Sequence, residues 1–281
     1  MGIRTDLVLE ESENQNFLSG VEIKERKNGA VTVTYTQVKS EEAQKALNKP
    51  QGKYITVEFR SFGQLTDYEE LTDSLVTALC ELLPRSLDNI MLVGLGNSDI
   101  TPDALGPFVM KRILATRHIP NELAKSLGLQ GLKCVSAITP GVLGKTGIEA
   151  AELIFSAAEK IKPSAIIAVD ALAARKPSRL CNTIQLTDSG ISPGSGVHNS
   201  RRELSQKKMG VPVIAIGVPT VVDIAESHIS IDGAGNTATE NMIVTPNDID
   251  KQIAEAAEII SRSLNMFLQP EIDSAVLLNL V

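Results

Sequence analysis

Five short runs of apolar residues, at 90–93, 135–138, 165–169, 183–186 and 211–216, recur along the second two thirds of the chain. A strand with one wet face alternates apolar and polar residues. A run that is apolar at nearly every position is buried on both faces, as happens in a sheet layered between helices. Segments 104–117, 147–160 and 249–268 have the length and apolar spacing of covering helices. The expected fold class is therefore α/β, a mostly parallel central sheet with helices on both faces. Ahead of it, residues 31–35 and 54–59 alternate at period two and are rich in β-branched and aromatic side chains, which predicts two half-buried strands. Leu71, Leu75, Ala78, Leu79 and Leu82 form a helical stripe that stops before Pro84. Residues 1–28, rich in Glu, Asn and Lys, read as a polar N-terminal arm without regular structure. The expected organisation is that arm followed by one α/β domain over 29–281, with residues 29–60 as a small appended β-containing lobe.

Charge and cysteine usage remove several functional classes. A net charge of -7 argues against a chain that grips nucleic acid directly, and suits a basic protein partner. Cys80, Cys134 and Cys181 are scattered and show no CxxC spacing, so neither a disulfide framework nor a cysteine zinc site is expected, and a reducing cytoplasm fits. The N-terminal stretch lacks a signal-like apolar region, and no apolar run reaches membrane-spanning length.

In a parallel α/β sheet, ligands gather beyond the carboxyl ends of the strands. Asp170 directly follows the run 165–169, and Asp103 follows 90–93 by way of the turn Gly94-Leu95-Gly96-Asn97. Both carboxylates are thus expected on one rim, where a pair can share a proton and activate water. Each also has a structural alternative. Asp103 fits the first turn of a helix capped by Thr101 and opened by Pro102. Asp170 fits an N-cap, with Arg175 or Lys176 as its counter-charge. Gly94-Leu95-Gly96 resembles the start of a dinucleotide fingerprint, yet Asp99 stands at the third glycine position and Pro102 arrives too early. The backbone around Gly94, Gly96 and Asn97, and around Gly194 and Gly196 in a second glycine-rich loop, offers candidate oxyanion or substrate contacts. His198 in that second loop is a candidate third polar group. HExxH is absent, and Ser195 lacks a GxSxG elbow. No metal or cofactor is expected. The alternatives are a metal site of Asp103, Asp170 and His198, or a non-catalytic module that binds basic proteins.

Longer motifs point further. Ile3-Arg4-Thr5-Asp6-Leu7, Thr101-Pro102-Asp103-Ala104-Leu105-Gly106-Pro107, Thr146-Gly147-Ile148-Glu149, Val169-Asp170-Ala171-Leu172-Ala173-Ala174-Arg175, Pro193-Gly194-Ser195-Gly196-Val197 and Pro219-Thr220-Val221-Val222-Asp223 run in this order over almost the whole chain. Together they resemble the germination protease family of spore-forming bacteria, atypical aspartic endopeptidases. The resemblance implies degradation of small acid-soluble spore proteins in the spore-core cytoplasm at germination. It implies essential aspartates at Asp103 and Asp170, a homotetramer, and a zymogen that removes a short propeptide by self-cleavage. It also implies a fold shared with hydrogenase maturation proteases, which bind nickel through acidic residues and a histidine. Two departures stand out. About twenty residues separate Asp223 from Val244-Thr245-Pro246, where the family carries a long insertion, and only Met1-Gly2-Ile3 precede Arg4. The second leaves zymogen control open, with the polar arm beyond Leu7 as an alternative place for self-cleavage.

Overall fold

A computed structural model describes residues 5–13, 19–65, 68–126, 129, 131–192, 203–230, 237–273 and 276–277. The first half of the chain contains α1 (Val8–Ser12), β1 (Val21–Asn28), β2 (Val31–Val38), α2 (Glu41–Leu47), β3 (Gly52–Glu58), α3 (Glu69–Leu82), β4 (Asn89–Gly94), α4 (Leu105–Met110) and α5 (Asn121–Ser126). The second half contains β5 (Cys134–Ile138), α6 (Leu143–Thr146), α7 (Ala150–Ile161), β6 (Ala165–Ala174), β7 (Thr183–Thr187), α8 (Gln206–Met209), β8 (Val213–Ser230), β9 (Thr237–Val244) and α9 (Ile249–Leu268).

The strands form one sheet in the order β1-β2-β3-β7-β8-β6-β4-β5, with β9 paired to β8 outside that path. Strands β8, β6, β4 and β5 run parallel, and this is the half that holds the expected apolar runs. Its two faces serve different helix layers. Ile90, Leu92, Ile167, Val169, Ile214 and Ile216 share one core cluster with residues of α3, α4 and α9. Met91, Val93, Ile166 and Ala168 pack with Ala150, Ala151 and Ile154 of α7 on the other. Alternate residues of each strand thus answer to opposite layers, which is why the runs are apolar throughout. Each fully buried Ile or Leu here contributes about 1.5–3 kcal/mol.

The other half of the sheet is antiparallel. Residues 175–182, between β6 and β7, are too few for the dozen or more that a parallel crossover needs, so β7 enters at the end where β6 leaves and pairs antiparallel with β8. Strand β3 then pairs with β7 from Tyr54↔Thr187 to Glu58↔Thr183. Residues 29–60, expected as an appended lobe, are therefore edge to edge with the central sheet. The polar arm also has structure: α1 is buried at Val8, Glu10 and Ser12, and β1 forms the outer strand. Strand β1 is exposed along almost its whole length and heavily charged, which blunts an open sheet edge.

One further segment differs from expectation. Helix α4 stops well short of Arg117 because Asn265 of α9 catches the chain. Its Nδ2 donates to Arg112 O (2.9 Å) and its Oδ1 accepts from Leu114 N–H (3.0 Å). The stretch between Asp223 and Val244 is not a plain connection, since β8 runs to Ser230 and pairs with β9. Among the described residues no helix is long and apolar enough to cross a membrane.

Candidate functional site

Strand β6 does not end at Val169. Because Ala171, Leu172, Ala173 and Ala174 keep the apolar character of the run, the strand continues, and Asp170 sits within it opposite Gly217 of β8. Alternation puts Asp170 in the row of Ile166 and Ala168, on the α7 face, but beyond the helix-covered part. It is 6% exposed, and its Oδ1 accepts from Ala171 N–H (3.0 Å). An aspartate in mid-strand is not a helix N-cap, so that alternative falls. Arg175 and Lys176, the expected counter-charges, reach Glu11 and Glu13 instead.

Asp103 ends a single 3-10 turn, Thr101–Asp103, whose flanking residue is Ile100 rather than Thr101. Asn97 N–H donates to both Asp103 Oδ2 (2.9 Å) and Asp103 O (3.0 Å), closing the loop on itself. Gly96 makes this closure possible. It holds φ +106°, and a Cβ there would stand 2.1 Å from Asp103 O and 3.0 Å from Asp103 Oδ1.

The loop that carries Asp103 is fastened both to Asp170's own strand and to the neighbouring β8. Leu95 N–H donates to Val169 O (2.8 Å), and the Thr220 hydroxyl of β8 donates to Pro102 O (2.7 Å). Gly106 opens α4 so close to the strand ends that a Cβ would lie 2.6 Å from Val169 O. Gly94, at the end of β4, faces Gly106 in turn, with no room for a side chain. The Asp103 loop thus lies on the carboxyl-end rim of β4, beside the mid-strand stretch of β6 that carries Asp170. Lys145 of α6 pairs with Asp99 across this rim, and that hydrogen bond holds the Asp99 carboxyl below its usual range.

The loop's amides are less available than glycine content suggested. Those of Leu95, Asn97, Asp99 and Ile100 are used within the fold, Asn97 on Asp103 itself. Gly96, Ser98 and Thr101 retain N–H groups without a partner among the described residues. Gly194, Gly196 and His198 lie outside the described residues. No three His, Cys, Asp or Glu gather as a metal site among the described residues.

The residues that sequence missed are those fastening the N-terminal segment beside Asp170. Asp6 N–H donates to Ala173 O (2.9 Å) and Ala173 N–H to Asp6 Oδ2 (2.9 Å). Gln185 of β7 holds the same segment with both ends of its amide: Oε1 accepts from Val8 N–H (2.8 Å), and Nε2 donates to Asp6 O (3.1 Å). Glu10, its side chain fully buried, accepts from the N–H groups of Arg175 (2.6 Å) and Lys176 (2.9 Å). Arg179 reaches Glu58 (2.7 Å) and Glu13. Burial pushes the Glu58 carboxyl up, opposed by Arg179. At Glu13 burial also acts upward, but Lys176 and Arg179 outweigh it and hold the carboxyl below its usual range. Nothing local marks Glu10 or Gln185, whose partners lie more than 150 residues away.

The sequence profile described as germination protease matches residues 3–234. A germination protease of Clostridium tetani is 40% identical, the alignment covering 97% of this chain and 97% of that protein. One from Caldanaerobacter subterraneus subsp. tengcongensis is 38% identical over 96% of this chain and 95% of its own length. One from Bacillus cytotoxicus is 44% identical over 79% of this chain and 63% of its own. Among solved structures, a NiFe hydrogenase maturation protease, HycI from Thermococcus kodakarensis, matches 66% of this chain and 98% of its own at 18% identity, with a TM-score of 0.38.

Proposed function

The chain belongs to the germination protease family, and from that premise we propose that it is an endopeptidase that cleaves small acid-soluble spore proteins by water activated between Asp103 and Asp170. What supports the aspartate pair is the double fastening of the Asp103 loop to Asp170's own strand and to β8, through Leu95 N–H to Val169 O and Thr220 Oγ1 to Pro102 O. Both carboxylates accept a backbone N–H, Asp103 from Asn97 and Asp170 from Ala171, so burial separates them, and the less buried Asp103 acts as base. Asp170, the more buried, acts as acid. Asp103 takes a proton from water as the water oxygen bonds to the scissile carbonyl carbon, while Asp170 gives its proton to the carbonyl oxygen. The tetrahedral intermediate then collapses, the C–N bond breaks, and the amine leaves with the proton held by Asp103. Asp170 recovers its proton from the hydroxyl. Two carboxyls in this role titrate as a pair.

The same premise carries an inactive precursor, a homotetramer and action in the spore core as parts of the proposal. The test is mass spectrometry of a purified small acid-soluble spore protein incubated with the wild type and with Asp103→Asn and Asp170→Asn. Defined cuts by the wild type, falling by about 100-fold to 10,000-fold in each variant at unchanged melting temperature, are expected. Turnover near wild type in either variant removes that aspartate from the mechanism.

A further inference from the structure

A groove of about 690 Å³ lies on the sheet face that carries Asp170, and the mechanism above leaves it unused. Leu172 and Gly217, the neighbours of Asp170 along β6 and across on β8, line one end of it. Its floor continues over Ala215 of β8, Gln185 and Thr187 of β7 and Tyr54 of β3, so it runs across the strands. Ala215 is 4% exposed yet belongs to neither core cluster under the helices; it floors the groove. From β6 to β3 is three strand spacings, about 14 Å, the length of about four extended residues.

The groove's lining joins neutral hydrogen-bonding groups to five charged ones, Asp6, Glu11, Lys49, Arg175 and Glu203. Gln44, Asn48, Thr187, Ser189 and Ser192 supply amides and hydroxyls, while the Gln185 amide is taken up at both ends by the N-terminal segment. The charges are engaged locally, Lys49 Nζ with Thr5 O (2.7 Å), Arg175 with Glu11 (2.7 Å), Asp6 Oδ2 with Ala173 N–H (2.9 Å) and Glu203 with Lys208 (3.8 Å). Amides and hydroxyls match the alternating N–H and C=O of a polypeptide better than a compact charged ligand.

We propose that this groove is the subsite for about four extended residues of the protein substrate on one side of the scissile bond, with Gln185 positioning its N-terminal wall. The proposal rests on the peptidase reading above. It is tested with a spore-protein peptide of about ten residues centred on a mapped cut, and with two versions trimmed to one residue on either side. Ala215→Leu fills the floor, and Gln44→Ala, on an exposed stretch of α2, removes a wall group where the fold has no stake. In the wild type, trimming one particular side should raise KM about tenfold or more. Both variants should raise KM for the full peptide with little change in kcat, and in both that same trimming should have much less further effect, the non-additivity of a shared contact. Full-peptide KM unchanged in both variants, or losses that simply add to trimming on either side, overturns the groove assignment while cleavage itself stands. Absence of cleavage by the wild type, or cleavage surviving the Asp103 and Asp170 substitutions, sinks the parent reading and the subsite with it.

Discussion

Substituting Gly96 by alanine tests whether the loop geometry holds Asp103 where it acts. The new methyl would start 2.1 Å from Asp103 O and 3.0 Å from Oδ1, at a φ of +106° that L residues rarely adopt. Carbon and oxygen need about 3.5 Å, so the Asp103 turn must retreat by roughly 1.4 Å. It has little freedom to do so. Pro102 O is held by Thr220, and Gly106 is pressed against Leu95 and Val169, so the displacement falls on the two Asn97 N–H contacts to Asp103. Backbone strain of about 1–3 kcal/mol follows, a drop of about 2–10 °C in melting temperature for a chain of this size. Activity should suffer more, since a carboxylate misplaced by about 1 Å costs about 100-fold in kcat. The assay is kcat at saturating peptide beside a thermal melt, with Gly144→Ala as control, because a Cβ at Gly144 meets nothing within 4 Å. A Gly96→Ala enzyme with more than half the wild-type kcat, or one no worse than the control, refutes the claim that this glycine positions Asp103.

Glu10→Ala should destabilise by about 3–5 kcal/mol, because it strips two backbone N–H groups and the Arg179 side chain of a buried carboxylate; a urea midpoint corresponding to less than about 1 kcal/mol of loss contradicts this. Cys181 should stay silent to a thiol reagent at pH 8 until denaturant is added, while exposed Cys80 reacts at once, because burial pushes the Cys181 thiol up to about 12. A raised folded-state pKa contributes stability that is complete below about pH 9 and is lost as pH rises toward 12, so the urea midpoint should fall across that window, and fall less in Cys181→Ala.

Sequence was legible where structure is local. Helix α9 spans the expected 249–268 because its apolar stripe, Ile253, Ala257, Ile260, Leu264, repeats at helical spacing without help from elsewhere. The apolar runs became strands for the same reason. Direction was not legible for β7, since Thr183–Thr187 reads alike either way and the short connection from β6 decides. Strand β1 was hidden because an outer strand facing water carries Glu22, Lys24, Glu25, Arg26 and Lys27, the composition of a loop. Asp170 and Asp103 were visible as acids after apolar runs. The Asn97 contact was not, for it depends on the φ that Gly96 adopts.

The fastening of the N-terminal segment has a consequence for synthesis. Val8 waits for Gln185, and Glu10 for Arg175 and Lys176, partners 165 to 177 positions later in the chain. At about 5–20 residues per second, a ribosome needs roughly 10–35 s to make them. Through that interval Leu7, fully buried at the end against Ala174 and Val222, has no docking place, whereas Val8 already has Val38, Ala43 and Leu47 to pack on. The rim beside Asp170 is completed only when residues 6–10 close against residues 173–185, so delay or misdirection of that closure, rather than failure of the sheet, is the expected route to inactive protein.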